Sequence, residues 1–351
     1  MQEGHMNKKF FGKTSKGEDT YTYEISNNNG MRMVLTDFGA SVVSIFIKDK
    51  NGVERDVVLG YDDVSVYERE TAYFGATVGR NANRISGASI EVEGKTYKLD
   101  ANDYFENNLH SGQHAVSGRI WSVKNHEANK ITFTIVSLEE LEGFPGDATL
   151  EVTFELTDNN EEIISYYGMC DKTTVYNLTN HAYWNLNGHD SGVNHSQELQ
   201  IFASHYTPVS SSKSIPKGFN EPVEGTPFDF RQAKPIGQDI KAEHEQLGFA
   251  NGYDHNFALD KEAGEMTTAA IAYAPESGIR MEVITDCPGI QLYTANFIHG
   301  HKGKGVEYVD QGAYCLETQF YPNAMNVEAF QSPLVQGGTP YTSKTIYKFT
   351  V

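Results

Sequence analysis

Residues 150–156 read Leu-Glu-Val-Thr-Phe-Glu-Leu, an alternation of apolar and polar side chains. The same period of two recurs in residues 131–135 (ITFTI) and 346–351 (IYKFTV). Side chains alternate between the two faces of a β-strand, so this period indicates strands with one buried face, as in antiparallel sheets. Many such strands, separated by Gly, Asn and Asp turns, predict an all-β fold, namely a large antiparallel β-sandwich with few short helices.

Turn residues and short helical segments divide this pattern. Gly94 is expected to turn a hairpin between residues 90–92 and 96–99. Residues 48–52 (KDKNG) are expected to turn between apolar stretches 42–47 and 57–59. Helical patterns are confined to Val64–Glu70 and Lys241–Leu247. The long segment Tyr206–Pro235 contains Phe219, Phe228 and Phe230, which suggests a packed functional loop rather than a linker. One domain over residues 7–351 is therefore predicted.

The overall charge restricts the partners. The 351 residues include 28 Lys and Arg against 47 Asp and Glu, a formal net charge of −19. This balance repels phosphate backbones and anionic membranes, so neither nucleic acid nor a membrane is expected as a partner, and a neutral small molecule is. No apolar run reaches the length of a membrane span. A monomer is the default expectation.

The three cysteines, Cys170, Cys287 and Cys315, have no paired spacing, which favours reduced thiols and a cytoplasmic location. The opening MQEGHM resembles a vector-derived extension ending at Met6, which leaves a removed export signal open.

Two distant segments contain the residues best suited to chemistry. Residues 177–186 (NLTNHAYWNL) contain His181, and residues 315–324 (CLETQFYPNA) contain Glu317, each among aromatic and amide side chains. Aromatic faces cover the C–H surface of a sugar and amides bond its hydroxyls, while a histidine and a carboxylate can act as acid and base. Taken alone, His181 could equally be a structural histidine and Glu317 part of a solvated strand face.

Other segments contain polar residues of the same kind: Asn83 and Arg84, His110, Asp254, and Gln291. Each one singly could be a surface ion pair, a turn cap or a strand contact. The spacing of His299 and His301, and of His189 and His195, does not match zinc sites, so no metal site is predicted. Dinucleotide, P-loop and GxSxG motifs are missing from the sequence.

Together and in order, six segments resemble the aldose 1-epimerase family: YFGATVGRNANRISGA, NNLHSG, NLTNHAYWNL, GYDHNF, PGIQLYTAN and CLETQFYPNA. The likeness runs from about Phe10 to Val351. It implies the galactose mutarotase-like supersandwich, an isomerase that interconverts the α- and β-anomers of free hexoses such as D-galactose and D-glucose, and no cofactor.

By this resemblance Glu317 is the general base and His181 the general acid. Substrate-binding roles fall to five residues, with Trp184 as an aromatic wall: Asn83, Arg84, His110, Asp254 and Gln291. Three alternatives stay open: a hexose-phosphate epimerase, a non-catalytic sugar-binding module and a glycoside hydrolase. The preferred sugar is not fixed by the sequence, and arabinose, xylose or a disaccharide remain candidates.

Overall fold

The structure is a computed structural model that describes residues 7–351, so the predicted extension 1–6 lies outside the described residues. The strands in chain order are β1 (Lys8–Lys13), β2 (Asp19–Ser26), β3 (Arg32–Thr36), β4 (Ser41–Lys48), β5 (Glu54–Asp56), β6 (Thr77–Val78), β7 (Arg84–Ile85), β8 (Ser89–Val92), β9 (Lys95–Lys98), β10 (Asn108–Leu109), β11 (Ser122–His126), β12 (Lys130–Ser137), β13 (Ala148–Leu156), β14 (Glu161–Met169), β15 (Thr174–Val175), β16 (Thr179–Asn180), β17 (Glu198–Ile201), β18 (His205–Thr207), β19 (Glu221–Pro222), β20 (Lys234–Pro235), β21 (Asp254–Ala258), β22 (Thr267–Tyr273), β23 (Arg280–Thr285), β24 (Gly289–Tyr293), β25 (Lys302–Gly303), β26 (Val306–Glu307), β27 (Cys315–Gln319), β28 (Leu334–Val335) and β29 (Tyr341–Thr350).

Helices are few and short. They are α1 (Val64–Arg69), α2 (Glu139–Glu142) and α3 (Glu245–Ala250), with 3-10 turns at Ser86–Ala88, Val116–Gly118 and Ala324–Asn326. The first helix confirms the prediction, and the Asp63 side chain caps it by accepting from the Ser65 N–H. The second predicted helix, Lys241–Leu247, was placed too early. Residues 241–243 form a turn and a bend, and α3 begins only after His244, whose side chain accepts from the Gln246 N–H.

Three larger sheets build the molecule. One has the order β1-β2-β3-β4-β5, a second has nine strands in the order β11-β12-β13-β14-β29-β23-β22-β17-β20, and the third has the order β19-β18-β21-β24-β27. Neighbouring strands in all three are antiparallel. The alternation of residues 150–156 is seen directly in β13, whose even-numbered residues are buried. The predicted all-β sandwich is therefore confirmed.

The sheets pack on a shared apolar core. Leu316 of β27 and Tyr347 of β29 are both buried in it, and the Tyr347 hydroxyl donates to the Leu316 carbonyl at 3.0 Å. Tyr23 of the first sheet packs edge-on against Phe133 of the nine-stranded sheet, with ring centroids 5.8 Å apart. The apolar core therefore continues across the sheets, and one domain over residues 7–351 stays a prediction.

Turn predictions hold with one correction. Glu93 and Gly94 have φ values of 51° and 74°, which is the positive-φ pair that a tight hairpin between β8 and β9 requires. The turn at residues 48–52 joins β4 to β5, but β5 is the polar stretch Glu54–Asp56. The apolar residues 57–59 follow that strand and are buried.

The long segment from Tyr206 to Pro235 is packed in part. Phe228 stacks on Tyr206 with ring centroids 4.2 Å apart, and Phe230 is buried beside Tyr253. Phe219, in contrast, is about half exposed. The segment is therefore anchored over the third sheet through two of its three phenylalanines.

Candidate active site

Strand register places a polar row on one face of the third sheet. Gln291 of β24 lies between Asn256 of β21 on one side and Glu317 of β27 on the other. Because side chains alternate along a strand, these three share a face with Asp254, while Leu316 points the other way into the core. The polar face forms the floor of a cavity of about 520 Å³, a volume typical of small-molecule sites.

Glu317 and His181 meet at this floor. The Nε2 atom of His181 lies 3.6 Å from Oε2 of Glu317, and the two residues are 5% and 3% exposed. Among the described residues, no hydrogen-bond partner reaches Oε2 of Glu317. A buried carboxylate oxygen without a partner is costly, and at Glu317 this oxygen belongs to a residue that lines a cavity large enough for a small molecule.

His181 is held by its backbone and by its neighbours. Its N–H donates to the Ala76 carbonyl and its carbonyl accepts from the Gly75 N–H, which ties the segment after β16 to the segment before β6. Its ring is nearly parallel to that of Tyr183, with centroids 5.1 Å apart, and Nδ1 lies 3.5 Å from the Cys315 sulfur. These contacts direct Nε2 towards Glu317.

His110 and Asn83 are joined by two hydrogen bonds, one between backbone groups and one to the His110 ring. The His110 N–H donates to the Asn83 carbonyl, and the Asn83 N–H donates to Nδ1 of His110 at 3.1 Å. Both residues have positive φ, 51° and 62°. Since Nδ1 accepts, the neutral ring carries its proton on Nε2, which is free to donate into the cavity.

Arg84 lies beside them on the short strand β7. Its Nε donates to Oδ2 of Asp103 at 3.0 Å, and both side chains are largely buried. This charged hydrogen bond fixes the guanidinium at the cavity wall. Asp103 was not singled out from the sequence, where it is one acidic residue in an irregular segment.

Burial shifts the pKa values of Glu317 and His181 in opposite directions. Desolvation raises the pKa of Glu317 well above its ordinary value, with a further increase from the nearby Asp254 and a decrease from Arg84. Desolvation also lowers the pKa of His181 to about 4 and holds the pKa of His110 well below the ordinary range. Both shifts favour the uncharged pair, with a proton on Glu317 and a neutral His181.

Six of the seven predicted site residues line this one cavity, from five separate segments: Asn83, Arg84, His110, His181, Asp254 and Glu317. The seventh, Gln291, lies behind Asp254. It donates to Asp254 at 2.8 Å and accepts from Gln319 at 3.0 Å, so it orients that carboxylate from the side.

The aromatic wall differs from the sequence-based expectation. Trp184 is 1% exposed and packs in the core against Tyr347 and Phe349. Its neighbour Tyr183 lines the cavity instead, together with Tyr73 and Tyr293. Successive residues of this segment point in opposite directions, and Trp184 makes bridges to Val58 and Tyr314 that turn its ring inward.

Fold and site together define an all-β protein in which a buried histidine and a buried glutamate face each other in a cavity on one face of a sheet. The family model for aldose 1-epimerase matches residues 21–348. The galactose mutarotases of Sus scrofa and Homo sapiens are each 36% identical over 343 residues, 97% of this chain and 97% of theirs. The aldose 1-epimerase of Escherichia coli K12 is 35% identical over 328 residues, 93% of this chain and 94% of that protein.

Solved structures agree. An aldose epimerase homologue from C. elegans superimposes with a TM-score of 0.87 at 32% identity, covering 94% of this chain and 99% of its own. The chain belongs to the aldose 1-epimerase family and is an isomerase of that family. Among residues 7–351, no helix is long and apolar enough to cross a membrane.

Proposed function

We propose that this protein interconverts the α- and β-anomers of free aldoses such as D-galactose and D-glucose, with Glu317 as general base and His181 as general acid. One observation supports these roles above all: two buried titratable groups face each other across 3.6 Å, and Oε2 of Glu317 has no hydrogen-bond partner among residues 7–351. Opening the ring removes a proton from the C1 hydroxyl and adds one to the ring oxygen. Glu317 takes the first proton and His181 gives the second.

Burial of Glu317 and His181 affects the charge states of the pair during ring opening. The closed-ring complex reacts from carboxylate and imidazolium, whereas the open-chain complex leaves carboxyl and neutral imidazole. Both states carry one proton on the pair. Because desolvation disfavours both charges, the buried site favours the neutral pair that ring opening forms. Reclosure on the other face reverses the roles.

Surrounding residues are assigned to binding. Arg84, fixed by Asp103, and the Nε2–H of His110 are donors to ring hydroxyls. Asp254 is an acceptor, oriented by Gln291, which we retain as a substrate-binding residue through this contact. The reciprocal pairing of Asn83 with His110 supports a role for Asn83 in positioning that ring. Donors and acceptors that are already directed suit a substrate with many hydroxyls.

Charge at the cavity favours a neutral sugar over a phosphorylated one. Among the described lining residues, Arg84 is the one Lys or Arg side chain, and Asp103 already pairs with it. Three carboxylates line the same cavity: Asp103, Asp254 and Glu317. A phosphate group would meet net negative charge, so hexose phosphates are disfavoured. A glycoside hydrolase would need two carboxylates flanking the bond, and here histidine faces Glu317.

Polarimetry on freshly dissolved α-D-galactose and α-D-glucose tests the proposal. Glu317→Gln and His181→Asn should each lower the enzymatic rate by roughly 10²–10⁴. Glu162→Gln is the matched control, because Glu162 is also a buried carboxylate with one oxygen unpartnered among the residues that the structure describes, but it does not line the cavity. Near wild-type rates for Glu317→Gln would refute the assignment, and binding without turnover by wild type would leave a sugar-binding module.

The remaining properties follow from composition. We propose a cytoplasmic monomer without nucleic-acid or membrane partners, supported by the net charge of −19 and by three free, buried cysteines.

A further inference from the structure

A branched chain of hydrogen bonds runs behind Asp254 on the polar face of the third sheet. Nε2 of Gln291 donates to Oδ1 of Asp254 at 2.8 Å, and Nε2 of Gln319 donates to Oε1 of Gln291 at 3.0 Å. Nε2 of Gln319 also donates to Oδ1 of Asn256 at 3.2 Å. Gln319 and Asn256 are buried and do not line the cavity, so they lie behind the residues that would contact a sugar.

Strand register brings Gln319 into this chain. On β27, Gln319 follows Glu317 by two residues, so both side chains lie on the same face of the sheet. Gln319 is paired with Gly289 of β24, which has no side chain to fill the space between neighbouring amides. A Cβ atom at Gly289 would lie 2.5 Å from Oδ1 of Asn256, closer than van der Waals contact allows. The glycine therefore leaves the room in which the amides of Gln319 and Asn256 meet.

The carboxylate determines the direction of these bonds. A carboxylate only accepts hydrogen bonds, so the NH₂ group of Gln291 must face Asp254 and its Oε1 must face Gln319. Gln319 must therefore present its own NH₂ group, which donates to both Gln291 and Asn256. Its Oε1 is buried without a partner among the described residues. Gln319 is thus the common donor of the chain, and a side chain without an N–H could not replace it.

The second branch reaches the long segment Tyr206–Pro235. Nδ2 of Asn256 donates to Oγ1 of Thr207 at 3.0 Å, and that hydroxyl donates to Oδ1 of Asn220 at 2.8 Å. Both ends of the chain are therefore anchored, one at the carboxylate beside the cavity and the other in the segment over the third sheet. Gln319 is held between them.

We propose that Gln319 is a positioning residue for sugar binding, because it orients the Gln291 amide that presents Asp254 to the sugar as an acceptor. Without the Gln319 donor, Oε1 of Gln291 loses its partner and the amide is held at one end only, so Asp254 is less well positioned. The effect falls on affinity, since Asp254 is assigned to binding while Glu317 transfers a proton. The role of Gln319 rests on the proposed function only for the identity of the ligand, a free aldose, and does not require turnover.

Calorimetric titration of the full chain with D-galactose and D-glucose measures affinity without any activity assay. Gln319→Met keeps the length of the side chain but removes its N–H groups, and the Kd should rise roughly tenfold, as expected for one lost hydrogen bond. Because Gln319 acts through Gln291, the double variant Gln319→Met/Gln291→Met should bind no more weakly than Gln291→Met alone. Gln197→Met is the matched control: Gln197 is also a buried amide, donates to Asn185 at 2.7 Å and does not line the cavity, so its Kd should be unchanged.

Polarimetry on the same proteins separates binding from catalysis. In Gln319→Met the KM should rise about tenfold while kcat stays within about twofold of wild type. Thermal unfolding verifies that each variant is folded, and Gln319→Asn, whose amide is one methylene shorter, takes the place of Gln319→Met if that variant does not fold.

The proposal is overturned if Gln319→Met leaves both Kd and KM unchanged, if it lowers kcat at constant KM, or if the effects of the two single variants multiply in the double variant. It is also overturned if wild type binds neither sugar. Wild type that binds galactose without turnover would refute the proposed mutarotase activity alone, since the comparison of Kd values between wild type and variants would still hold.

Discussion

Replacing Glu162 with glutamine is expected to stabilise the protein at neutral pH. Glu162 lies on β14, is 1% exposed, and faces Tyr347 of β29 across the nine-stranded sheet. No hydrogen-bond partner among the described residues reaches its Oε2. Burial alone raises its pKa from 4.5 to about 8. Glutamine has nearly the same shape as glutamate but cannot ionise.

The size of the effect follows from proton linkage. Between about pH 4.5 and 8 the folded state keeps a proton on Glu162 that the unfolded state releases, so the free energy of unfolding falls as pH rises. Each pH unit costs about 1.4 kcal/mol, so at pH 7 the accumulated loss is about 3 kcal/mol. The Glu162→Gln variant does not lose this free energy of unfolding, because glutamine does not titrate. The two proteins should differ little near pH 4.5 and by up to about 3 kcal/mol at pH 7.

Urea unfolding of wild type and Glu162→Gln at several pH values between 4.5 and 8 measures this difference. Comparing the two proteins cancels the other titrating groups that they share. Parallel stability curves over this range would refute the reasoning, because they would mean that Glu162 titrates alike in the folded and unfolded states. Polarimetry on the same samples should show unchanged mutarotation, in contrast to Glu317→Gln.

Three further predictions concern the site. The kcat/KM for galactose should fall about tenfold per pH unit below about pH 4, where a second proton on the His181–Glu317 pair leaves no base to accept the substrate proton. A fall that instead begins near pH 6.5 in the pH–rate profile would mean that His181 is solvated. Asp103→Ala should raise KM about tenfold and change kcat less, because Arg84 loses its 3.0 Å hydrogen bond; an unchanged KM would mean that Asp103 does not position Arg84 for binding. Cys315→Ala should lower kcat about fivefold by releasing Nδ1 of His181, and Cys315→Ser should restore it; equal rates for the two variants would contradict this role.

Regular strands were predictable because burial there follows side-chain alternation. Residues 150–156 became the centre of β13, and the Gly94 hairpin formed with the expected turn. His181 and Glu317 were also identified, since each interrupts an apolar context with one titratable group. Their closeness came from the family resemblance, because 136 positions separate them along the chain and nothing local brings them together.

In irregular segments, neither the directions of side chains nor the start of a helix was predicted correctly from the sequence. Between His181 and Trp184 the direction of each side chain depends on isolated bridges to Val58 and Tyr314, which no local pattern reveals, so the wall was assigned to Trp184 instead of Tyr183. Helix α3 was placed early because the charged residues before His244 have good helix propensity, whereas the histidine cap sets the actual start.

The strand register of the third sheet decides both which side chains enter the core and which face the cavity. In β27, Leu316 enters the apolar core while Glu317 faces the cavity, and in β24 Leu292 and Gln291 divide in the same way. A slip of one residue in β27 would expose Leu316 and Thr318 to the sugar and drive Glu317 into the core. The cost of burying that carboxylate among leucines opposes the slip, as does the loss of core packing. The apolar face therefore fixes the position of Glu317, the proposed base, and substitutions at Leu316 should impair catalysis although Leu316 does not line the cavity.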